Sequence, residues 1–288
     1  AHCPIVGDLK TVLQKLNTHV KPGKYGKWLD QVLKWKEEYP LKYDGDHMPD
    51  GELKPQFVIE QIYQVTKGNA IITTEVGQHQ MWSAQYYKFS RPRTFLSSGG
   101  LGTMGYGFPA AIGAKIANPD ETVIDIAGDG SIQMNIQELA TAVNYNVPVV
   151  VTILNNNYLG MVRQWQDMFY NKLYSGVNLE GKDVLEPRDG ASLTGRSYVP
   201  DFVKLAEAYG AVGMRISKKE DVAPAIESAI KMNKVVFIDF LCCKEENVFP
   251  MIPAGASLDE IIVNEDSFKK KEEKKKEPQV VGEGMELL

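Results

Sequence analysis

A pattern of strand, turn, helix and strand between residues 122 and 156 constrains the fold of this chain more than any other feature. An apolar run at residues 122–127, typical of a buried parallel strand, leads directly into Gly128-Asp129-Gly130. Apolar residues at helical spacing come next, and a second apolar run at residues 148–154 ends in Asn155-Asn156. Two polar clusters therefore follow two strands, at the sheet edge where open α/β folds bind their ligands.

The chemistry of the two clusters favours a metal-bound diphosphate. The carboxylate of Asp129 and the side-chain oxygen of Asn156 are hard ligands that suit Mg²⁺, which completes its shell with water and phosphate oxygens. Glycines at 128 and 130 allow the backbone to approach a diphosphate, and a helix that begins near Ser131 directs its free N–H groups to the same place. The alternative is a Gly-Asp-Gly turn that only connects two elements. The Asn-Asn pair after the next strand argues against that alternative.

The rest of the chain from residue 55 alternates between strand and helix patterns with short connections. This alternation predicts an α/β fold, in which a parallel sheet of about six strands carries helices on both faces. We expect strands near residues 70–75, 94–97, 122–127, 148–154, 212–216 and 234–241, and helices near 79–87, 105–117, 132–145, 160–169, 200–209 and 219–231.

Composition excludes several classes of protein. The chain has 288 residues, of which 43% are hydrophobic, so it can bury a sizeable core. A net charge of −5 without a basic cluster in the folded region argues against nucleic acid as a partner. No apolar run approaches the length of a membrane span, and no targeting signal is visible. The three cysteines (Cys3, Cys242 and Cys243) form no disulfide framework, and we expect the adjacent pair to be core thiols.

The remaining segments suggest the domain boundaries. Residues 1–54 are predicted to hold the end of one domain and a linker: a strand end at 3–7, a helix capped by Asp8, and an amphipathic helix at 25–38 with a tryptophan stripe that packs in a core or at a domain interface. Residues 55–263 form the main domain, and residues 264–288 form a charged, solvated or disordered tail.

A glycine-rich run at residues 100–105 also fits the dinucleotide-binding fingerprint and lies between a predicted strand and helix. We reject a nicotinamide cofactor because this run does not follow the first strand of the domain. In addition, no acidic residue ends the following strand, where ribose recognition requires one. Asp125 lies inside that strand instead.

Six stretches together resemble one family. The Gly128-Asp129-Gly130 and Asn155-Asn156 clusters are similar to the signature of thiamine diphosphate (ThDP) enzymes. Four further stretches resemble the catalytic subunits of acetolactate synthases, also called acetohydroxyacid synthases, and the resemblance covers most of residues 1–263. These stretches are Val76-Gly-Gln-His-Gln-Met-Trp82, Ser98-Gly-Gly-Leu-Gly-Thr-Met-Gly-Tyr-Gly107, Gly160-Met-Val-Arg-Gln-Trp-Gln166 and Phe249-Pro-Met-Ile-Pro-Ala-Gly255.

The resemblance assigns a role to each site residue. Mg²⁺ would be bound by Asp129, Asn156 and the backbone carbonyl of Tyr158. Gly102 would offer its carbonyl to the aminopyrimidine of ThDP, and Met104 would hold the cofactor bent, so these two are the candidate catalytic residues. The other cofactor-binding candidates are Val76, Gly77, Gln78, His79, Gly128, Gly130, Ser131, Gly160, Met161 and Val162.

Residues expected to contact the substrate lie on one helix. Met161, Val162 and Trp165 would line the acceptor pocket, and Arg163 is equally open to a substrate-binding or a structural role. Taken without the resemblance, Met104 would be a core residue, His79 a structural histidine, and the Met161 helix face a buried one.

The function that the resemblance implies is ThDP- and Mg²⁺-dependent decarboxylation of pyruvate, followed by carboligation to pyruvate or 2-ketobutyrate. The products would be 2-acetolactate and 2-aceto-2-hydroxybutyrate, precursors of branched-chain amino acids. The resemblance further implies that the sequence is a carboxyl-terminal portion that is inactive alone, because the carboxylate that activates the pyrimidine belongs to an amino-terminal domain of another subunit. It also implies FAD in the full-length protein, a homodimer or homotetramer, and a possible regulatory small subunit. The expected location is the bacterial cytoplasm, or a plastid or mitochondrion.

One departure from the family pattern leaves alternatives open. Residues 175–199 contain about fifteen more residues than the family usually has here; a loop of such length is typical of a functional or mobile segment, such as a lid. The alternatives are therefore another ThDP-dependent decarboxylase or carboligase, and a cofactor-binding half with no catalytic role of its own.

Overall fold

The computed structural model of the protein describes residues 1–45, 52–179 and 199–268. The chain divides into two units, Ala1–Tyr43 and the residues from Asp44 onward. The predicted domain boundary between residues 54 and 55 stays a prediction. Most of the predicted insertion at 175–199 and of the predicted tail at 264–288 lies outside the described residues.

The first unit consists of two helices, α1 (Leu9–His19) and α2 (Gly26–Glu38). Asp8 caps α1 as predicted, because its Oδ1 atom accepts a hydrogen bond from the backbone N–H of Thr11 at 2.9 Å. The strand predicted at residues 3–7 is wrong: these residues are exposed and irregular, so no neighbouring strand satisfies their backbone groups. The tryptophan stripe of α2 is not buried in a core either, since Trp28 is 61% exposed.

The second unit is built on one six-stranded parallel sheet with the order β2-β1-β3-β4-β6-β5. This confirms the predicted α/β fold. The strands are β1 (Ile71–Thr74), β2 (Phe95–Ser97), β3 (Val123–Gly128), β4 (Val150–Asn155), β5 (Val212–Ile216) and β6 (Val236–Leu241). Every residue of β3 and β4 is buried, which explains why both strands are predominantly apolar in sequence.

Seven further α-helices are described in this unit, and most lie where the sequence predicts them. They are α3 (Pro55–Thr66), α4 (Gln78–Tyr86), α5 (Gly107–Ala117), α6 (Leu139–Asn144), α7 (Gly160–Phe169), α8 (Phe202–Ala208) and α9 (Lys219–Met232). None of the described helices is both long enough and apolar enough to cross a bilayer. Cys242 and Cys243 are buried free thiols, as predicted.

The single helix predicted over residues 132–145 is wrong. Two 3₁₀ turns, Ile132–Met134 and Ile136–Glu138, precede the short helix α6. Between them Asn135 leaves the helical region, with φ of −134°, and its Nδ2 atom donates to the carbonyl of Gly105 at 2.7 Å. A contact distant in sequence therefore outweighs the helical periodicity, at a residue with a weak helix preference.

The order of the strands reverses at β1 and β3. The chain passes from β1 outward to β2 and then returns to β3 on the other side of β1. The loops after β1 and β3 therefore diverge, and a crevice opens between them at the carboxyl ends of the strands. This is the location at which open parallel sheets bind ligands.

Helix α5 lies directly against the ends of the central strands, and Gly107 makes this approach possible. A Cβ atom at this position would lie 2.6 Å from the backbone carbon of Thr74 and 2.5 Å from the backbone nitrogen of Glu75. Both are main-chain atoms of the sheet edge, which cannot move aside cheaply. At Gly113 of the same helix, the corresponding position has no atom within 4 Å from any described residue outside the neighbouring helix backbone.

These two glycines predict opposite effects of the same substitution. Gly107→Ala should lower the free energy of unfolding by about 1–3 kcal/mol, because the added methyl group overpacks the helix against the strands. Gly113→Ala should raise it by about 0.5–1 kcal/mol, because alanine favours the helix. Denaturant unfolding of both variants tests the pair. A Gly107→Ala variant as stable as wild type would contradict the close packing of α5.

Candidate functional site

A cleft with about 570 Å³ of empty space opens at the carboxyl edge of β1, β3 and β4. Most of the residues predicted for cofactor or metal binding line it. They are Val76, Gly77, Gln78, His79, Met104, Gly128, Asp129, Gly130, Ser131, Asn156, Tyr158, Gly160, Met161 and Val162. The fold thus brings together residues that are widely separated in the sequence.

Two predicted site residues are not part of the cleft lining. Gly102 is exposed and has a φ of +64°, and a Cβ atom there would be 3.8 Å from Val76 Cγ1, a residue of the cleft lining. Trp165 lines an adjacent, open hollow together with Phe169. Val162 is 49% exposed and borders both the cleft and this hollow. Met161, Val162 and Trp165 therefore face solvent or cavity and do not form a buried helix face.

Asp129 is a buried carboxylic acid with one unused oxygen. Its side chain is 1% exposed, and Oδ1 accepts a hydrogen bond from the N–H of Gly130 at 2.9 Å. Oδ2 has no hydrogen-bond partner among the described residues. Burial raises the pKa of Asp129 to about 7, and hydrogen bonds from the backbone N–H groups of Gly130 and Asn157 only partly oppose this. A cation beside Oδ2 would provide the missing partner and stabilise the charged form.

The turn after β4 presents Asn156 and Tyr158 to the same cleft. Asn157, at the centre of the turn, adopts a left-handed conformation with φ of +57°. Oδ1 of Asn156 accepts the N–H of Tyr158 at 3.1 Å, and Oδ1 of Asn155 accepts the N–H of Asn157 at 3.3 Å. Residues 177–179 pair with this turn, since Leu179 donates to the carbonyl of Asn157 at 2.8 Å. The orientation of the turn is therefore fixed from two sides.

A chain of charged groups behind the turn holds Asn155. Its Nδ2 atom donates to Asp239 on β6 at 2.9 Å, and the other oxygen of Asp239 accepts from Arg215 Nε at 3.0 Å. Burial raises the pKa of Asp239, although the hydrogen bonds from Asn155 and Arg215 oppose that shift. Arg215 also pairs with Asp201 at 2.8 Å. These residues were not predicted, because only the tertiary fold brings β5 and β6 to the turn.

His79 lies at the amino-terminal end of α4 and packs against the backbone of Gly128. A Cβ atom at Gly128 would lie 2.8 Å from the imidazole ring, so a side chain there would displace His79. Burial lowers the pKa of His79 to about 3, which keeps the ring neutral. His79 can therefore serve a ligand as a hydrogen-bonding group and not as a charge.

Gln78 connects the cleft to the segment that follows β6. Its Nε2 atom donates to Gln164 Oε1 and to the carbonyl of Glu246, both at 2.9 Å. Its Oε1 atom has no partner among the described residues and lies beside Gly160, where any larger residue would collide with it.

Arg163 is buried and donates to the carbonyl of Glu246 at 3.1 Å. This hydrogen bond supports the structural role of Arg163, and a substrate-binding role stays a prediction.

Several residues of the cleft were absent from the prediction. Pro55, Trp82, Leu154 and Leu159 also line it. Trp82 could have been found, because it lies three residues after His79 and shares its helix face. Pro55 could not, since it reaches the cleft only through the packing of α3.

The donor set fits a cation that brings its own ligands. The described residues contain no cluster of three or more His, Cys, Asp or Glu side chains that could hold a metal. One carboxylate, one amide oxygen and one backbone carbonyl suit Mg²⁺, which obtains its remaining ligands from water and phosphate. The glycine-lined backbone between β3 and His79 leaves space for that phosphate.

Comparison with known proteins places this geometry in a family. The profile described as "Thiamine pyrophosphate enzyme, C-terminal TPP binding domain" matches residues 75–240. The chain belongs to the thiamine pyrophosphate enzyme family. The matched region of this family domain includes all predicted site residues, from Val76 to Trp165, and every strand of the sheet except β1 and the last residue of β6.

Curated proteins similar to this chain include acetolactate synthases of bacteria and of a plant, which confirms the resemblance found in the sequence. The chain is 43% identical over 271 residues to the acetolactate synthase isozyme 3 large subunit of Escherichia coli (strain K12), a match that covers 91% of this chain and 44% of that protein. It is 42% identical over 271 residues to the chloroplastic acetolactate synthase 2 of Zea mays, covering 92% and 40%. The chain thus spans less than half the length of these relatives.

The raised pKa of Asp129 predicts a specific stability change. In the folded, ligand-free protein the carboxyl keeps its proton up to about pH 7, whereas the ordinary value is 3.8. The folded state therefore loses stability as the pH rises through this window. The Asp129→Asn variant has no carboxyl group to ionise at this position. Its free energy of unfolding, relative to that of wild type, should therefore rise by on the order of 2 kcal/mol between pH 5 and pH 8.

Chemical denaturation of both proteins in EDTA at the two pH values measures this difference. His79 and the other titrating groups are common to both proteins, so their contributions cancel. A difference in stability that is equal at pH 5 and pH 8 would contradict the buried, unpaired carboxyl.

Proposed function

We propose that this chain forms the ThDP- and Mg²⁺-binding part of an acetolactate synthase. The observation that carries the proposal is the buried Asp129 carboxyl with its unpartnered oxygen, which lines the same cleft as the Asn156 turn, within the region that matches the family. In this proposal the protein decarboxylates pyruvate and joins the remaining two-carbon unit to pyruvate or 2-ketobutyrate.

The chain's own residues would hold the metal and the diphosphate. Asp129, the side-chain oxygen of Asn156 and the backbone carbonyl of Tyr158 would bind Mg²⁺. The free N–H groups at the amino-terminal end of α4, where Gln78 and His79 lie, would bind phosphate oxygens, and the neutral ring of His79 would pack beside them. Since His79 is neutral, the positive charge that balances the diphosphate would come from the metal.

ThDP, when bound, supplies the nucleophilic carbon and the electron sink for decarboxylation and carbon–carbon bond formation. The protein supplies its placement. Met104 stands at the wall of the cleft, where a bulky, polarizable thioether suits contact with aromatic rings. Gly102, with its left-handed backbone, would direct its carbonyl to the aminopyrimidine.

The acceptor would bind at the mouth of the cleft. Met161 and Val162 line the mouth, and Trp165 continues this apolar surface into the adjacent hollow. An apolar surface of this kind favours the longer side chain of 2-ketobutyrate by about 1 kcal/mol for each buried methylene.

Completion of the active site would require another part of the protein. Asp129 is the only carboxylic acid among the described residues that line the cleft, and the metal would occupy it. No second carboxylate of the described cleft lining is left to activate the pyrimidine. We therefore infer that another subunit supplies this group in a homodimer or homotetramer, and that the chain alone is almost inactive. FAD and a regulatory small subunit would belong to the same assembly.

The proposed activity is tested with the complete gene product, pyruvate, ThDP and Mg²⁺, with and without 2-ketobutyrate. We expect acetohydroxyacids as products. Asp129→Asn should reduce their formation more than 100-fold. Loss of a residue that only hydrogen-bonds to a metal ligand costs roughly 10- to 100-fold, and loss of the ligand itself should cost more. Asp120→Asn, at an exposed position, should leave activity unchanged.

Two other outcomes would contradict the proposal. Acetaldehyde without a carboligation product would assign the protein to another branch of ThDP enzymes. Normal activity of Asp129→Asn would mean that this chain is a cofactor-binding half of the protein and has no catalytic role of its own.

A further inference from the structure

Glu75 is a buried carboxylic acid that the proposed function does not use. It follows β1 directly, is 0% exposed, and is absent from the cleft lining. One carboxylate oxygen accepts the N–H of Gly105 at 2.6 Å, and the other accepts the N–H of Phe108 at 3.0 Å. Gly105 lies in the connection from β2 to α5, and Phe108 lies in the first turn of α5. Glu75, in the connection after β1, thus anchors the loop that carries Gly102 and Met104.

The loop is fixed at the residue next to Met104. Gly105 has a φ of +91°, its N–H is bound by Glu75, and its carbonyl accepts Asn135 Nδ2 at 2.7 Å. A Cβ atom at Gly105 would lie 2.8 Å from that same Asn135 atom. The two peptide groups that flank Gly105 are therefore each held by a side chain, one by Glu75 and the other by Asn135 from the connection after β3.

Glu75 also reaches the diphosphate side of the cleft through its backbone. Its N–H donates to the carbonyl of Ile126 on β3 at 3.1 Å. Its backbone forms a hydrogen bond with the His79 ring. One residue consequently links the sheet, His79 and the loop that carries Met104.

A second buried acid, Asp125 on β3, lies beside Glu75. Asp125 is 0% exposed, its Oδ1 atom accepts Thr73 Oγ1 at 2.8 Å, and its Oδ2 atom has no partner among the described residues. Burial and the neighbouring Glu75 raise the pKa of Asp125 well above its ordinary value. Burial also raises the pKa of Glu75, but backbone N–H groups of residues 105–108 oppose that shift. Glu75 therefore carries the negative charge, and Asp125 is the neutral acid.

We propose that Glu75 is a positioning residue, whose carboxylate fixes the loop that carries Gly102 and Met104 against the cofactor cleft. The inference rests on the proposed function, because the loop needs this placement only if ThDP binds in the cleft. It assigns a specific task to an acid that would otherwise serve only to cap α5.

The test compares Glu75→Gln with Asp125→Asn in the complete gene product, with ThDP binding measured by isothermal titration calorimetry at saturating Mg²⁺. The new amide side chain at position 75 would keep one acceptor oxygen but would turn an NH₂ group toward the second N–H donor. ThDP should bind Glu75→Gln about 10- to 100-fold more weakly, as expected for lost charge-assisted hydrogen bonds. Asp125→Asn replaces a neutral acid with a neutral amide of the same shape. The affinity of this variant for ThDP should therefore stay within about threefold of that of wild type.

A double-mutant cycle with Met104→Ala separates positioning from mere capping of α5. If Glu75 acts through Met104, Glu75→Gln should weaken ThDP binding much less in the Met104→Ala background than in wild type. A purely structural role would instead lower the melting temperature equally in both backgrounds and leave the affinity of the folded protein unchanged. Asn135→Ala, which releases the other side of Gly105, should weaken ThDP binding in the same direction and provides the test if Glu75→Gln does not fold.

The outcomes distinguish this inference from the proposed function. If the wild-type protein binds no ThDP, both are overturned. If wild type binds ThDP and Glu75→Gln binds it equally well, the proposed function stands and the positioning role is overturned. If Asp125→Asn loses as much affinity as Glu75→Gln, the assignment of the charge to Glu75 is overturned. Additive effects of Glu75→Gln and Met104→Ala would likewise contradict action through Met104.

Discussion

The candidate site is organised around one carboxyl group that the fold buries and leaves with an unpaired oxygen among the described residues. Asp129 has lost its water, receives a hydrogen bond at one oxygen, and has none at the other among the described residues. Burying an unpartnered acid costs free energy, and a folded protein retains such a group where a ligand compensates for it. The surrounding structure supports this interpretation, because the Asn156 turn presents oxygen atoms and the neighbouring glycines leave room for an anion.

The topology of the sheet explains why the partners of Asp129 meet. The reversal of strand order at β1 and β3 separates their loops, so His79 and Asp129 face one crevice although they are distant in sequence. Buried polar groups then fix each loop: Asp239 and Arg215 hold the turn after β4, and Glu75 holds the glycine-rich loop. The ligand-facing residues thus stand on backbone that is positioned before any ligand binds, which reduces the entropic cost of binding.

The sequence predicted the sheet and most of the cleft, for physical reasons that can be named. Buried parallel strands are continuous apolar runs, and the residues that follow them must lie at one edge, so the Asp129 and Asn156 clusters could be placed together. The prediction was wrong where a distant contact decides local structure. Asn135 interrupts the expected helix and binds Gly105, and residues 3–7 are exposed and pair with no strand of the described residues. The positioning groups were missed as well, since nothing in the local pattern at Glu75 or Asp239 reveals their partners.

The central claim is that Asp129 and Asn156 share a divalent cation with a diphosphate. The most direct test is a crystal structure of the complete gene product grown with ThDP and Mn²⁺ in place of Mg²⁺, because Mn²⁺ prefers the same oxygen ligands and can be located by anomalous scattering. The account predicts an anomalous peak within about 2–2.3 Å of Asp129 Oδ2 and Asn156 Oδ1, with diphosphate oxygens in the same coordination shell. A Mn²⁺ peak at any other site, or a diphosphate bound in the cleft without a metal at Asp129, would contradict it.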